Sequence, residues 1–120
     1  MKKVFLFAAL FFLGMTAHAQ SASYFKTEKF IEFVQGQNPK TVMQSHTFFK
    51  VSPFLFRIST GATPIEVNIR AEIPVAHAEG SGTRYEGSEV FLTFIYDQSG
   101  AVKKVIWDTP NWTREYIRSW

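Results

Sequence analysis

His77, Glu79, Arg84, Tyr85 and Glu86 lie close together in the chain, and such a set can in principle supply general acid and base chemistry. In that reading His77 is the base, a carboxylate such as Glu79 orients it, and Arg84 and Tyr85 complete the polar cluster. A plainer account competes with it. Gly80-Ser81-Gly82 marks this stretch as a hairpin tip, and hairpin tips collect Gly, Ser, Glu and Arg because they face water. The sequence therefore favours a chain without catalysis, with His77, Glu79, Arg84 and Tyr85 as the candidates if there is any.

The other routes to chemistry are closed off by composition. With no cysteine, thiolate nucleophiles and cysteine zinc sites are excluded. Gly80-Ser81-Gly82 and Gly87-Ser88 lack both the spacing and the strand-to-helix setting of a serine hydrolase elbow. His46 and His77 are too far apart in sequence to form a short paired-histidine motif, so no metal site and no cofactor are implied. Asn111-Trp112-Thr113 has the form of a glycosylation acceptor, but the leader looks bacterial, and there Asn111 reads as part of a helix start.

Aromatic residues offer a different kind of site. Phe91, Trp107, Trp112, Tyr116 and Trp120 gather towards the C-terminus, and Trp and Tyr dominate binding hot spots because they bury much area at small rotamer cost. The same residues would equally serve as core if the segment carrying them docks on a sheet.

Charge narrows the partners. Met1-Lys2-Lys3, the apolar block Val4 to Met15 and the small residues Ala17 and Ala19 have the order of an export leader cut after Ala19. The apolar block is too short for the roughly 20 residues a membrane span requires, so no membrane anchor is expected in the mature form. Lys2 and Lys3 leave with the leader, and the precursor's net charge of +3 falls to nearly zero. That removes the usual prompt for nucleic acid, and places a single domain over residues 20–120 in the periplasm or outside the cell.

The elements that must position these residues follow from polarity. Phe30, Phe33 and Val34 share a helical face with Gly36 as the stop, which predicts a helix over 24–36. Asn38-Pro39 resembles a cap and first helical residue, opening a short turn through Met43. Residues 46–59 read as one strand bent or edged at Pro53, and Gly61 to Pro64 as a turn. Apolar residues at every odd position from 65 to 75 predict a strand, paired with 89–96 around Gly80-Ser81, so that Ile65 meets Tyr96 and Ile69 meets Leu92. Gly87 is expected as a bulge in that ladder. Asp97 to Gly100 turns the chain into a strand over 101–108, with Tyr96 opposite Val102 and Phe91 opposite Trp107. Thr109-Pro110 and the spacing of Trp112, Tyr116 and Trp120 predict a closing helix, laid over Phe91, Val105 and Trp107.

The expected fold is thus α+β, an N-terminal helix on a curved four-stranded antiparallel meander with a C-terminal helix. That plan resembles the cystatin-like and NTF2-like rolls in general architecture only. For function the sequence points first to an exported, non-catalytic binding domain for a protein or peptide, of an inhibitor or immunity-like kind. Its contact would be the sheet edge near Pro53 or the aromatic end. The alternatives are a small apolar ligand between sheet and first helix, lined by Phe30, Phe33, Phe94 and Tyr96, and a structural envelope component.

Overall fold

The computed structural model describes residues 24–118, which contain eleven strands and no helix. They are β1 (Tyr24–Thr27), β2 (Phe30–Val34), β3 (Lys40–Val42), β4 (His46–Ser52), β5 (Leu55–Ser59), β6 (Ile65–Asn68), β7 (Ala71–His77), β8 (Gly80–Glu86), β9 (Phe91–Tyr96), β10 (Val102–Asp108) and β11 (Trp112–Ile117). A four-stranded sheet runs β1-β4-β5-β6 and a seven-stranded sheet runs β3-β2-β11-β10-β9-β8-β7. The leader over 1–19 and Trp120 lie outside the described residues.

The two sheets are joined by shared strands. β1 and β2 are one course of chain bent at Glu28-Lys29, and they pair with β4 and β3, which are likewise one course bent at 43–45. β6 and β7 form a third bent course, whose corner bonds to both neighbours: Ile69 N–H donates to Phe54 O and Arg70 N–H to Glu86 O, each at 2.7 Å. Followed in chain order, each course pairs antiparallel with the next, and β11 returns to pair with β2. The result is an eight-course up-and-down barrel folded flat into two sheets. Closure of this kind leaves few strand edges unpaired.

A barrel of eight courses is just wide enough for side chains to fill. Phe25, Phe48, Phe56, Ile58, Leu92, Phe94 and Val105 are buried inside. Phe48 sits at the centre, its ring 4.8 Å from Tyr116, 6.1 Å from Trp107 and 6.3 Å from Phe94. Each such buried ring contributes about 1.5–3 kcal/mol over its exposed state, so the aromatic filling stands in for the missing disulfides.

The α+β expectation is corrected at both ends. The 24–36 segment is β1 and β2, not a helix. The stripe that suggested a helix lies wholly within β2: Phe30 and Val34, four apart, share one face of the strand as they would share a helix face, while Phe33 lies on the opposite face. The short turn expected after Asn38-Pro39 is β3, and Gly36, with φ at 81°, ends a strand rather than a helix. The closing helix is β11. Positions four apart share a face on a strand as they do on a helix, so Trp112 and Tyr116 fit both, and Arg114 between them faces the same way. With neither helix present, the cystatin-like and NTF2-like plan does not hold.

The meander is corrected too. Residues 46–59 form two strands with a tight turn at Pro53-Phe54. The 65–75 course does not pair with 89–96: β6 bonds to β5, and β7 folds back on β8, pairing His77 with Gly80 and Ala71 with Glu86. The strand between the two expected partners was hidden because its glycines read as a turn. Gly80 and Gly82 are instead inside β8, where an added Cβ would stand 2.7 Å from Tyr96 O and 2.6 Å from Phe94 O. Close backbone approach is the other use of glycine in a strand. Gly87 is not a bulge, since the ladder it was to interrupt does not form: it lies in the turn between β8 and β9, its N–H donating to Val90 O. The β9-β10 hairpin is present, with Gly100 at φ 89° and Tyr96 opposite Val102. A bulge at Lys103 then shifts the register, so that Trp107 faces Leu92 and Phe91 faces Asp108.

Candidate functional site

The polar set at 77–86 is divided between two faces by strand alternation. Tyr85 points into the barrel, its ring 4.8 Å from Phe56 and 5.5 Å from Phe94, with Lys50 Nζ 4.9 Å above it. Desolvation raises its phenol pKa above the usual tyrosine value. Arg84 and Glu86 point outward and pair with each other at 2.8 Å, with Arg84 lying over Phe91. His77 and Glu79 stay together at the turn, but through the backbone: Glu79 N–H donates to His77 Nδ1 at 3.1 Å. The Glu79 carboxylate turns away to Lys104 at 2.9 Å, whose ammonium depresses its pKa. No base, orienting carboxylate and phenol meet here.

The aromatic end is divided in the same way. Trp107 and Tyr116 are in the core, Trp112 is half-buried, and Phe91 is 39 % exposed on the outside. The apolar pocket expected under a first helix loses its premise, since Phe30 and Phe94 are core residues of a barrel.

Two features sequence reasoning missed take their place. The first lies on the outer face of the four-stranded sheet. Tyr24 pairs across strands with Phe49, Val51 follows on the same strand, and Phe54 caps the β4-β5 turn. They are 53, 46, 41 and 73 % exposed. Their signal was present in Tyr24, Phe49 and Val51, odd-man-out aromatic and aliphatic residues on strands whose other face already fills the core.

The second is inside, where β2, β10, β11 and the start of β4 converge on Arg114. Its Nε donates to Glu32 Oε2 at 2.8 Å, and its guanidinium lies 4.0 Å from the Trp112 ring centroid, 4.8 Å from Phe30 and 5.8 Å from Trp107. His46 sits beside it, 4.9 Å from Phe30 and 5.1 Å from Tyr116 between ring centroids. Burial holds His46 below the usual histidine pKa, and Arg114 adds to the depression. Burial raises Tyr116, although Arg114 opposes it.

Set against protein-family models, curated proteins and solved structures, the chain matches none of them. The site must be read from its own residues.

Proposed function

We propose that the chain is an exported, non-catalytic binding domain that engages a protein partner through the outer face of the four-stranded sheet. The observation that carries this reading is the clustering of Tyr24, Phe49, Val51 and Phe54, each more than two-fifths exposed, on one face of a barrel whose core is already filled. Contiguous exposed apolar surface of this kind marks interaction sites, and an aromatic at a protruding turn is the usual anchor. Phe54 follows Pro53, which fixes the backbone at the turn and lowers the entropy lost when the ring is immobilised by a partner. Export is supported by the order of Lys2-Lys3, the apolar block and Ala17-His18-Ala19.

The test is affinity capture with the mature chain against Phe49→Ser/Phe54→Ser, using extract from the exported compartment. The variant is expected to keep its melting temperature, because both rings are exposed, while the captured partner is lost; loss of a hot-spot aromatic corresponds to about 30-fold in affinity. Identical recoveries from both chains, or no partner for either, overturns the proposal.

A further inference from the structure

Buried polar atoms in folded proteins nearly always find partners, so those that do not are informative when they gather in one place. Among the described residues four buried side-chain atoms lack a hydrogen bond: His46 Nδ1, Trp107 Nε1, Tyr116 Oη and Arg84 Nε. Three of the four surround Arg114. Trp107 and Tyr116 are 4 % and 0 % exposed, and the Tyr116 hydroxyl, near enough to feel the Arg114 charge, makes no well-directed bond.

Arg114 itself is held but not used up. Glu32 takes the Nε edge, and the Trp112 and Phe30 rings fix the plane of the guanidinium. The Tyr116 hydroxyl stands within bonding reach of the guanidinium, and beside it no side chain among the described residues is placed to take a bond from Nη1 or Nη2. A guanidinium anchored at Nε presents its end-on fork, the geometry that receives two oxygens of one anion. The side chain keeps 22 % of its exposure, so Arg114 is not sealed inside the barrel. Lys40, opposite Glu32 on β3, gives the mouth a further positive charge. The described donors here are the remaining N–H groups of the arginine fork, the Trp107 indole N–H and the Tyr116 O–H, set among aromatic rings that lower the local dielectric and strengthen each bond.

We infer that the barrel mouth at Arg114 is a binding site for a small oxyanion, a carboxylate or a phosphate, held by the Arg114 fork with the Trp107 indole N–H as a second donor. Sodium acetate and inorganic phosphate serve as probes, each titrated into the folded chain at constant ionic strength kept with sodium chloride, and read by the Trp107 indole N–H resonance. The expected result is a saturable shift with one probe or both, absent with chloride alone; which probe binds more tightly separates a carboxylate ligand from a phosphate one. Arg114→Gln should weaken binding at least about tenfold. Should that variant not fold, Glu32→Gln gives the independent reading: it removes a competing negative charge and leaves an oxygen to hold Nε, so the anion should bind more tightly. An indole resonance that ignores both probes or follows chloride equally, or a Glu32→Gln chain that binds no better, would show that Arg114 only braces the barrel.

Discussion

His46 is enclosed by the rings of Phe30 and Tyr116 and is 1 % exposed, so protonating it places a charge where water cannot follow. Desolvation lowers its pKa from 6.5, and Arg114 pushes the same way. Above 6.5 neither folded nor unfolded chain carries the proton and stability is complete; as pH falls below 6.5 the unfolded chain protonates first and stability drains away. Melting temperature should therefore fall between about pH 7.5 and about pH 5.5, a window in which ordinary carboxylates stay ionised. In His46→Phe the dependence should flatten, while His77, present in both chains, cancels. Parallel curves for the two proteins would show that another group governs the window. The sequence made His46 visible only as one of two unpaired histidines, because nothing in its neighbours along the chain reveals that Tyr116 and Arg114 close over it.

At the scale of elements, β8 is the strand that decides the meander, and its glycines are what let it fit. Gly82 is opposite Ile95, and a methyl group there would meet the Phe94 carbonyl oxygen at 2.6 Å and the Val75 side chain at 3.3 Å. Backbone cannot yield as a flexible side chain can. Gly82→Ala should cost about 1–3 kcal/mol, as overpacking does, measured by urea denaturation. An unchanged midpoint would mean that β8 is held more loosely than the ladder implies. The same strand shows how far the sequence was legible. Strand propensity from 46 onward was readable, as were the Asp97 to Gly100 turn and the Tyr96–Val102 pairing. The partner of 65–75 was not, because period-two polarity fixes which face is buried but not which neighbour is bonded, and Gly80-Ser81-Gly82 is spelled like a turn. The two missed ends have another cause. Tyr-Phe, Phe-Ile and Trp-Thr runs carry strand propensity, yet apolar residues four apart on one strand face, Phe30 with Val34 and Trp112 with Tyr116, gave them helical spacing. For the site, Pro53 was legible as a break and read as a sheet edge, but β4 and β5 are paired on both sides and the exposed face of Tyr24, Phe49, Val51 and Phe54 was not foreseen; the Arg114 cluster depends on contacts 82 residues apart, such as Arg114 to Glu32.

For the molecule as a whole, Pro74 and Lys40 mark the two ends of the seven-stranded sheet, on β7 and β3. Proline lacks an N–H and lysine resists burial, so each discourages another chain from adding a strand there. Non-local closure, β11 returning to β2, sets such a barrel among slowly folding topologies. It also brings residue 27 beside residue 117, the Thr27 hydroxyl donating to Ile117 O at 2.9 Å. A ring of courses has no intrinsic beginning. The order of synthesis is therefore arbitrary with respect to the finished architecture: a permuted gene that joins 118 to 24 through a short glycine-serine spacer and opens the loop at Gln98-Ser99 should yield the same barrel, recognisable by an unchanged set of protected amides in hydrogen exchange.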